Sequence, residues 1–162
     1  MTLTIRQATV NDAAVILKFI KSLAQYEKLS HEVVATEENL KNSLFGKRAY
    51  AEVLLGHEGD TPVAFALFFH NYSTFLAKPG IHLEDLYVNE EHRGRGYGKA
   101  MLSRLAQIAI ERDCGRLEWN VLDWNTPAID FYKRLGAGAM EEWTTFRLSG
   151  QALLNMAIGS SS

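Results

Sequence analysis

Between Ile81 and Ala109 the chain changes its hydrophobic period, and three glycines make the change. Ile81, Leu83, Leu86, Tyr87 and Val88 give the pattern of an interior strand, whereas Met101, Leu102, Leu105, Ile108 and Ala109 recur along one side of a helix. The joint is Arg93-Gly94-Arg95-Gly96-Tyr97-Gly98-Lys99-Ala100, with glycine at alternate positions. Glycine takes φ > 0 without a Cβ penalty and lets a ligand come close to the main chain. A helix beginning directly behind turns its unpaired N–H groups and the positive end of its dipole into the loop. With the cations Arg93, Arg95 and Lys99, this joint makes a receptor for phosphate. Glycine spacing alone would also suit a plain surface turn, and the arginines and the helix weigh for the anion site. The P-loop pattern fails at both ends, where Arg93 and Ala100 stand, and the Rossmann fingerprint fails at Lys99.

The other elements follow from the same two periods. Leu3 to Arg6 alternates as a short strand; Asn11 or Asp12 caps a helix with Ile16, Phe19, Ile20 and Leu23 inward, ending near Tyr26-Glu27-Lys28. Thr36 starts a second helix, with Glu37 and Glu38 in its first turn and Leu40, Leu44 and Phe45 as its inner side. Ala49 to Leu55 and Val63 to Phe69 form a hairpin around His57 to Pro62, and a polar, aromatic loop from His70 to Gly80 leads to the strand Ile81 to Val88. Asp113-Cys114-Gly115 ends the helix behind the glycines, and Leu117, Trp119 and Val121 alternate in a further strand. Thr126-Pro127 opens another helix that Gly136 closes, and Thr144 to Leu148 is a last strand. The expectation is one α/β domain over 1–155 on a largely antiparallel sheet, with 156–162 a frayed tail.

A chain of 162 residues is long enough to bury one proper core. Its net charge of −2, with acids and bases interspersed, gives no basic field for nucleic acid. No run approaches the ~18 apolar residues of a membrane span, and Met1 to Val10 has no apolar stretch of signal-peptide length. Cys114 is the only cysteine, so no intrachain disulfide forms, and a buried or half-buried structural thiol in a reducing, cytoplasmic compartment is expected. The five histidines show no metal-ligand spacing, so no metal is proposed, and no Gly-x-Ser-x-Gly elbow is present.

Two places carry groups able to move protons. Glu84 and Asp85 are adjacent in the strand that feeds the glycine loop, so alternation sends them to opposite faces. Solvated surface acids are one explanation, but two carboxylates in an interior strand want a reason. Tyr132 lies on the helix after Asn125-Thr126-Pro127, where packing with its hydroxyl at the surface stands beside a chemical role.

Arg93-x-x-Gly96-x-Gly98 behind Leu83-Glu84-Asp85-Leu86-Tyr87-Val88 resembles the acetyl-CoA-binding motif of the GNAT-type N-acetyltransferases. Asp123-Trp124-Asn125 followed by Ile129-Asp130-Phe131-Tyr132-Lys133-Arg134-Leu135-Gly136 is similar to the second cofactor motif of that superfamily. Ile20-Lys21 to Tyr26-Glu27 and Tyr72-Ser73-Thr74-Phe75 resemble its spermidine/spermine and thialysine branch. The polyamine enzymes carry an acidic residue near Ser73 that this chain lacks, and Ser73-Thr74 with Val121 to Asn125 is closer to the thialysine type.

The resemblance implies the GNAT fold, a mostly antiparallel twisted sheet of about six to seven strands with about four helices on both faces. It implies direct transfer of acetyl from acetyl-CoA to the primary amine of a small lysine-like or diamine substrate. The alternatives are a polyamine N-acetyltransferase and, outside enzymes, a CoA-binding module without turnover. By resemblance the cofactor lies along Leu86, Tyr87 and Val88, over Arg93, Gly94, Arg95, Gly96, Tyr97, Gly98 and Lys99, and beside Asn125 and Tyr132. Glu84 becomes the base and Tyr132 the acid; Tyr26, Glu27, Ser73, Glu84, Asp85 and Glu142 become substrate contacts. A homodimer is implied as well.

Overall fold

In the computed structural model, which describes residues 2–159, four strands run antiparallel in chain order and a fifth joins in parallel. They are β1 (Leu3–Gln7), β2 (Glu52–Glu58), β3 (Thr61–Ser73), β4 (Lys78–Val88) and β5 (Leu117–Trp119), and their order in the sheet is their order in the chain. The helices among the described residues are α1 (Ala13–Tyr26), α2 (Glu37–Phe45), α3 (Tyr97–Glu111), α4 (Thr126–Arg134) and α5 (Gly150–Ala157). The chain divides into two compact units, Met1–Leu122 and Asp123–Ser162.

In the first unit, strand alternation sorts the apolar residues to the two faces of the sheet. Val53, Leu55 and Phe65 pack with Ile16 and Phe19 of α1 and with Leu40 and Leu44 of α2. Phe19 stacks on Phe65 at 5.2 Å between ring centres. The other face presents Leu54, Gly56, Ala64, Ala66 and Phe68 to the buried side of α3. Gly56 is needed there for close approach, since a Cβ would lie 3.3 Å from the Sδ of Met101. Each large apolar side chain so buried contributes about 1.5–3 kcal/mol. Thr36 starts α2 with a reciprocal cap: its Oγ1 accepts from the Asn39 amide, and its own amide donates to Asn39 Oδ1, both at 3.1 Å.

One irregularity decides the orientation of the site. Leu67 stands opposite Asp85, while the next residue, Phe68, stands opposite Leu83, so Glu84 is an extra residue on β4. Asp85 therefore shares the α1 face with Leu67, and Leu83 shares the α3 face with Phe68. Residues two apart on one strand have been sent to opposite sides.

In the second unit the Asn125 side chain accepts from the Ala128 amide at 3.4 Å and caps α4, and Pro127 lies in its first turn. Gly136, at φ +92°, follows the end of that helix. Ser149 precedes α5 without a side-chain cap.

Several expectations need correction. The sheet has five strands among the described residues, not six to seven, with five helices rather than four. Thr144 to Leu148 alternates in sequence but has no ladder partner among the described residues, and it is irregular. The loop expected from His70 to Gly80 is mostly strand, because Asn71, Tyr72 and Ser73 pair with Gly80, Pro79 and Lys78. Main-chain pairing there tolerates polar side chains: His70 bonds the Gly80 carbonyl at 3.0 Å, and Asn71 donates to Glu118 at 3.2 Å. The first hairpin is also tighter than expected, its strands reaching Glu58 and Thr61 around Gly59-Asp60. Helix α5 was not foreseen and includes Met156 and Ala157, the start of the expected tail, of which 160–162 lie outside the described residues.

Candidate active site

The site is built around the C-terminal half of β4. Its pairing with β5 covers Ile81, His82 and Leu83 and stops there, so from Glu84 onward that edge has no ladder partner among the described residues. The Asn89 amide bonds Val63 of β3 at 2.8 Å. Alternation then gives the main-chain groups of Tyr87 to β3 and those of Leu86 and Val88 to the open edge. The Val88 carbonyl on that edge accepts from Arg93 Nε at 3.0 Å.

The glycine loop continues from this edge. Gly94 and Gly96 take φ of +79° and +80°, and a Cβ at either would meet nothing within 4 Å. Gly96 is the residue before α3, which no side chain caps, so the first-turn amides of Tyr97, Gly98 and Lys99 have no intrahelical carbonyl. The arginines of the loop are already engaged. Arg95 donates to Glu58 Oε2 at 2.8 Å, and the Tyr97 hydroxyl donates to the same oxygen. Those donors, Tyr97 first, hold Glu58 below the usual carboxylate range. Arg93 lies over the rings of Tyr26 and Tyr87. What this helix entrance offers an anion is therefore mainly main chain, with Lys99 exposed beside it.

On the α1 face, next to the bulge, an open recess of about 370 Å³ is walled by Ile20, Leu23, Leu29 and Val33 and edged by Glu27, Glu32 and Asp85. Burial pushes the Asp85 carboxyl up from 3.8 to about 6, and the charges of Glu84 and then Glu27 add to the effect. Burial raises Glu27 too, with Glu84 contributing. An apolar wall with three carboxylates suits an alkyl chain that carries positive charge. Glu32 was missed from sequence because Ser30-His31-Glu32 is a polar connector without periodicity. Glu58 was missed because nothing near it in sequence hints at the distant Tyr97.

The structure thus brings Tyr26, Glu27, Glu84 and Asp85 together beside the edge of Leu86, Tyr87 and Val88 and the loop from Arg93 to Lys99. Ser73 is not with them: it lies six residues farther along β3 from Leu67, roughly 20 Å away, buried, with its Oγ accepting from the Leu76 amide at 3.2 Å. In the second unit Asn125 caps α4, Tyr132 is half-buried on α4 next to Phe131, and Glu142 is exposed in an irregular stretch. Cys114 is partly buried, its sulfur 3.9 Å from His70 Nδ1. No cluster of three metal-ligating side chains occurs among the described residues, and no helix among them is long and apolar enough to cross a membrane.

The chain belongs to the acetyltransferase (GNAT) family, whose model matches residues 19–137. It is an enzyme of that family, with the family's α/β fold. It is 37% identical to thialysine N-epsilon-acetyltransferase of Bos taurus, over 94% of this chain and 96% of that protein. It is 34% identical to an L-ornithine N5-acetyltransferase of Arabidopsis thaliana, over 92% of this chain and 85% of the relative. Among solved structures, an integron cassette protein from the mobile metagenome of V. cholerae superposes with a TM-score of 0.81 at 26% identity, covering 97% of this chain and 98% of that one.

Proposed function

We propose that this acetyltransferase moves an acetyl group from acetyl-CoA directly to the primary amine of a small lysine-like or diamine substrate. One observation carries the reading: an acid-edged, apolar-walled recess adjoins the point where β4 parts from β5 and leads to the glycine-loosened entrance of α3. The residues fit the donor. Open space at Gly94 and Gly96 admits a diphosphate against the α3 amides, and the edge at Leu86 and the Val88 amide, without a ladder partner among the described residues, offers hydrogen bonds to an amide-bearing arm. When bound, acetyl-CoA supplies a thioester carbonyl open to attack by an amine. An N–H on the β4 edge then polarises that carbonyl, which is worth a few kcal/mol.

The amine must arrive neutral. A lysine-like ammonium with a pKa of about 10.4 is neutral in roughly one molecule in 2,500 at pH 7, a deficit of about 4.6 kcal/mol. Glu27 and Asp85 hold the cation, and Glu84, exposed at the bulge, takes its proton through a water. The anions that attract the ammonium also raise its pKa, so burial in the recess has to offset them. As the C–S bond breaks, Tyr132 hydrogen-bonds the leaving sulfur or gives it a proton, uphill by roughly 2 kcal/mol from reference pKa values of about 10 and 8.5. By resemblance alone, Asn125 is assigned to the same arm. Glu142 is assigned to the acceptor by resemblance alone, and Ser73, buried far along β3 from the recess, is left out of it. The same resemblance carries a homodimer of the full chain, checked by sedimentation velocity, and the single Cys114 fits a cytoplasmic compartment.

Three carboxylates around one recess also favour a second reading, a polyamine acceptor with several charges. Thiol release from acetyl-CoA over an amine panel decides between them. The lysine-like reading expects the highest kcat/KM with thialysine, ornithine or lysine; a large preference for spermidine would reverse it, and no release with any amine would remove both.

A further inference from the structure

We propose that the Arg93 side chain is a positioning residue that fixes the acceptor recess to the donor strand. This rests on the acceptor and donor surfaces assigned above. Three contacts define the Arg93 position. Its Nε donates to the Val88 carbonyl at 3.0 Å, and its guanidinium carbon lies 5.0 Å from the Tyr26 ring centre and 5.2 Å from that of Tyr87. Tyr26 is the last residue of α1, and Glu27, which follows it, edges the recess. Tyr87 stands on β4 between the two residues whose main chain faces the open edge, and its ring meets Phe19 of α1 edge-on at 6.4 Å.

Core packing of Ile16 and Phe19 holds the body of α1 on the sheet, and Arg93 adds a contact at its last residue. Past Tyr26 the helix is over: Glu27, Lys28 and Leu29 bond back to Leu23, Gln25 and Ala24, and Lys28 has φ +62°. A planar guanidinium between two rings fixes direction as well as distance, which a lysine does not. Moving the end of α1 displaces Glu27 from Asp85, and the amine is then held off line from β4, where small displacements lower transfer steeply. Arg93 reads in sequence as one more phosphate cation, but its guanidinium lies over both tyrosines with Nε bonded to the Val88 carbonyl.

The test uses Arg93→Gln and Arg93→Lys in the full chain, with three measurements. Acetyl-CoA affinity is taken by calorimetry at two salt concentrations, acceptor KM and kcat by thiol release, and amide hydrogen exchange at Glu27 to Leu29 by mass spectrometry. Arg93→Gln is expected to raise acceptor KM about fivefold and to speed exchange at the end of α1 about as much, with acetyl-CoA affinity and its salt dependence moving less than about twofold. Arg93→Lys, which keeps the charge but loses the fork, is expected to recover only part of the loss. Weaker acetyl-CoA binding with a shallower salt dependence and an unchanged acceptor KM would make Arg93 a phosphate ligand and overturn the proposal. If the wild-type chain acetylates no amine, the function proposed above fails, and exchange still decides the clamp: faster at Glu27 to Leu29 supports it, unchanged overturns it.

Discussion

At Asp85, burial on the α1 face and the charges of Glu84 and Glu27 bring the carboxyl to about 6. A folded-state pKa raised above the unfolded value means that stability is fully present below pH 3.8 and is lost as pH rises through about 6. Asp85→Asn should therefore stabilise the protein near pH 7, by up to about 3 kcal/mol, and leave it unchanged near pH 3.5. Urea melts at the two pH values check this, and an equal gain at both would show that charge is not the cause. The same substitution should raise acceptor KM, since a group poorly solvated for folding is well placed to hold a cation. Gly96 gives a simpler case: at φ +80° in open space, alanine meets strain but no clash. Gly96→Ala should cost about 1–2 kcal/mol of stability and weaken acetyl-CoA binding, read by thermal melts and calorimetry. The two acids were legible in sequence as carboxylates in an interior strand. Which of them enters the recess was not, because the register of β4 against β3 settles it.

The strand β4 and helix α3 were readable as elements because each rests on a local period, and glycine marked the joint between them. Their surroundings were less so. The hairpin of β3 and β4 runs through residues whose polarity suggested a loop, since ladder bonds depend on the partner backbone rather than on side-chain character. Thr144 to Leu148 made the opposite case, with strand alternation in its residues and no ladder partner among the described residues. The start of α2 was read correctly at Thr36, where the cap is made within four residues. Thr36→Ala should cost about 1 kcal/mol, measured by urea unfolding, and a change under about 0.2 kcal/mol would mean the cap adds nothing. That end of α2 follows the connector carrying Glu32, so the variant also tests whether an ordered connector matters to acceptor KM.

At the scale of the whole chain, the unit Met1–Leu122 contains the open edge, the glycine loop and the acid recess, and the unit Asp123–Ser162 contains Asn125 and Tyr132. If Tyr132 serves the leaving sulfur, Tyr132→Phe should lower kcat at least about tenfold with little change in acetyl-CoA affinity. Steady-state kinetics beside calorimetry separate the two, and an unchanged kcat would remove Tyr132 from the reaction. The sequence by itself determined the periods of the main helices and strands, the helix starts at Thr36 and at Thr126-Pro127, and a glycine-rich helix entrance at Gly94 to Lys99. Each of these is fixed by contacts within a few residues, where propensity, capping and φ > 0 operate. Only the tertiary structure decided that β4 parts from β5 after Leu83, that one inserted residue turns Asp85 toward α1, and that Glu58 and the two tyrosines take up the arginines of the loop. Those outcomes depend on partners tens of residues away, and in a sheet a register change of a single residue exchanges one face for the other.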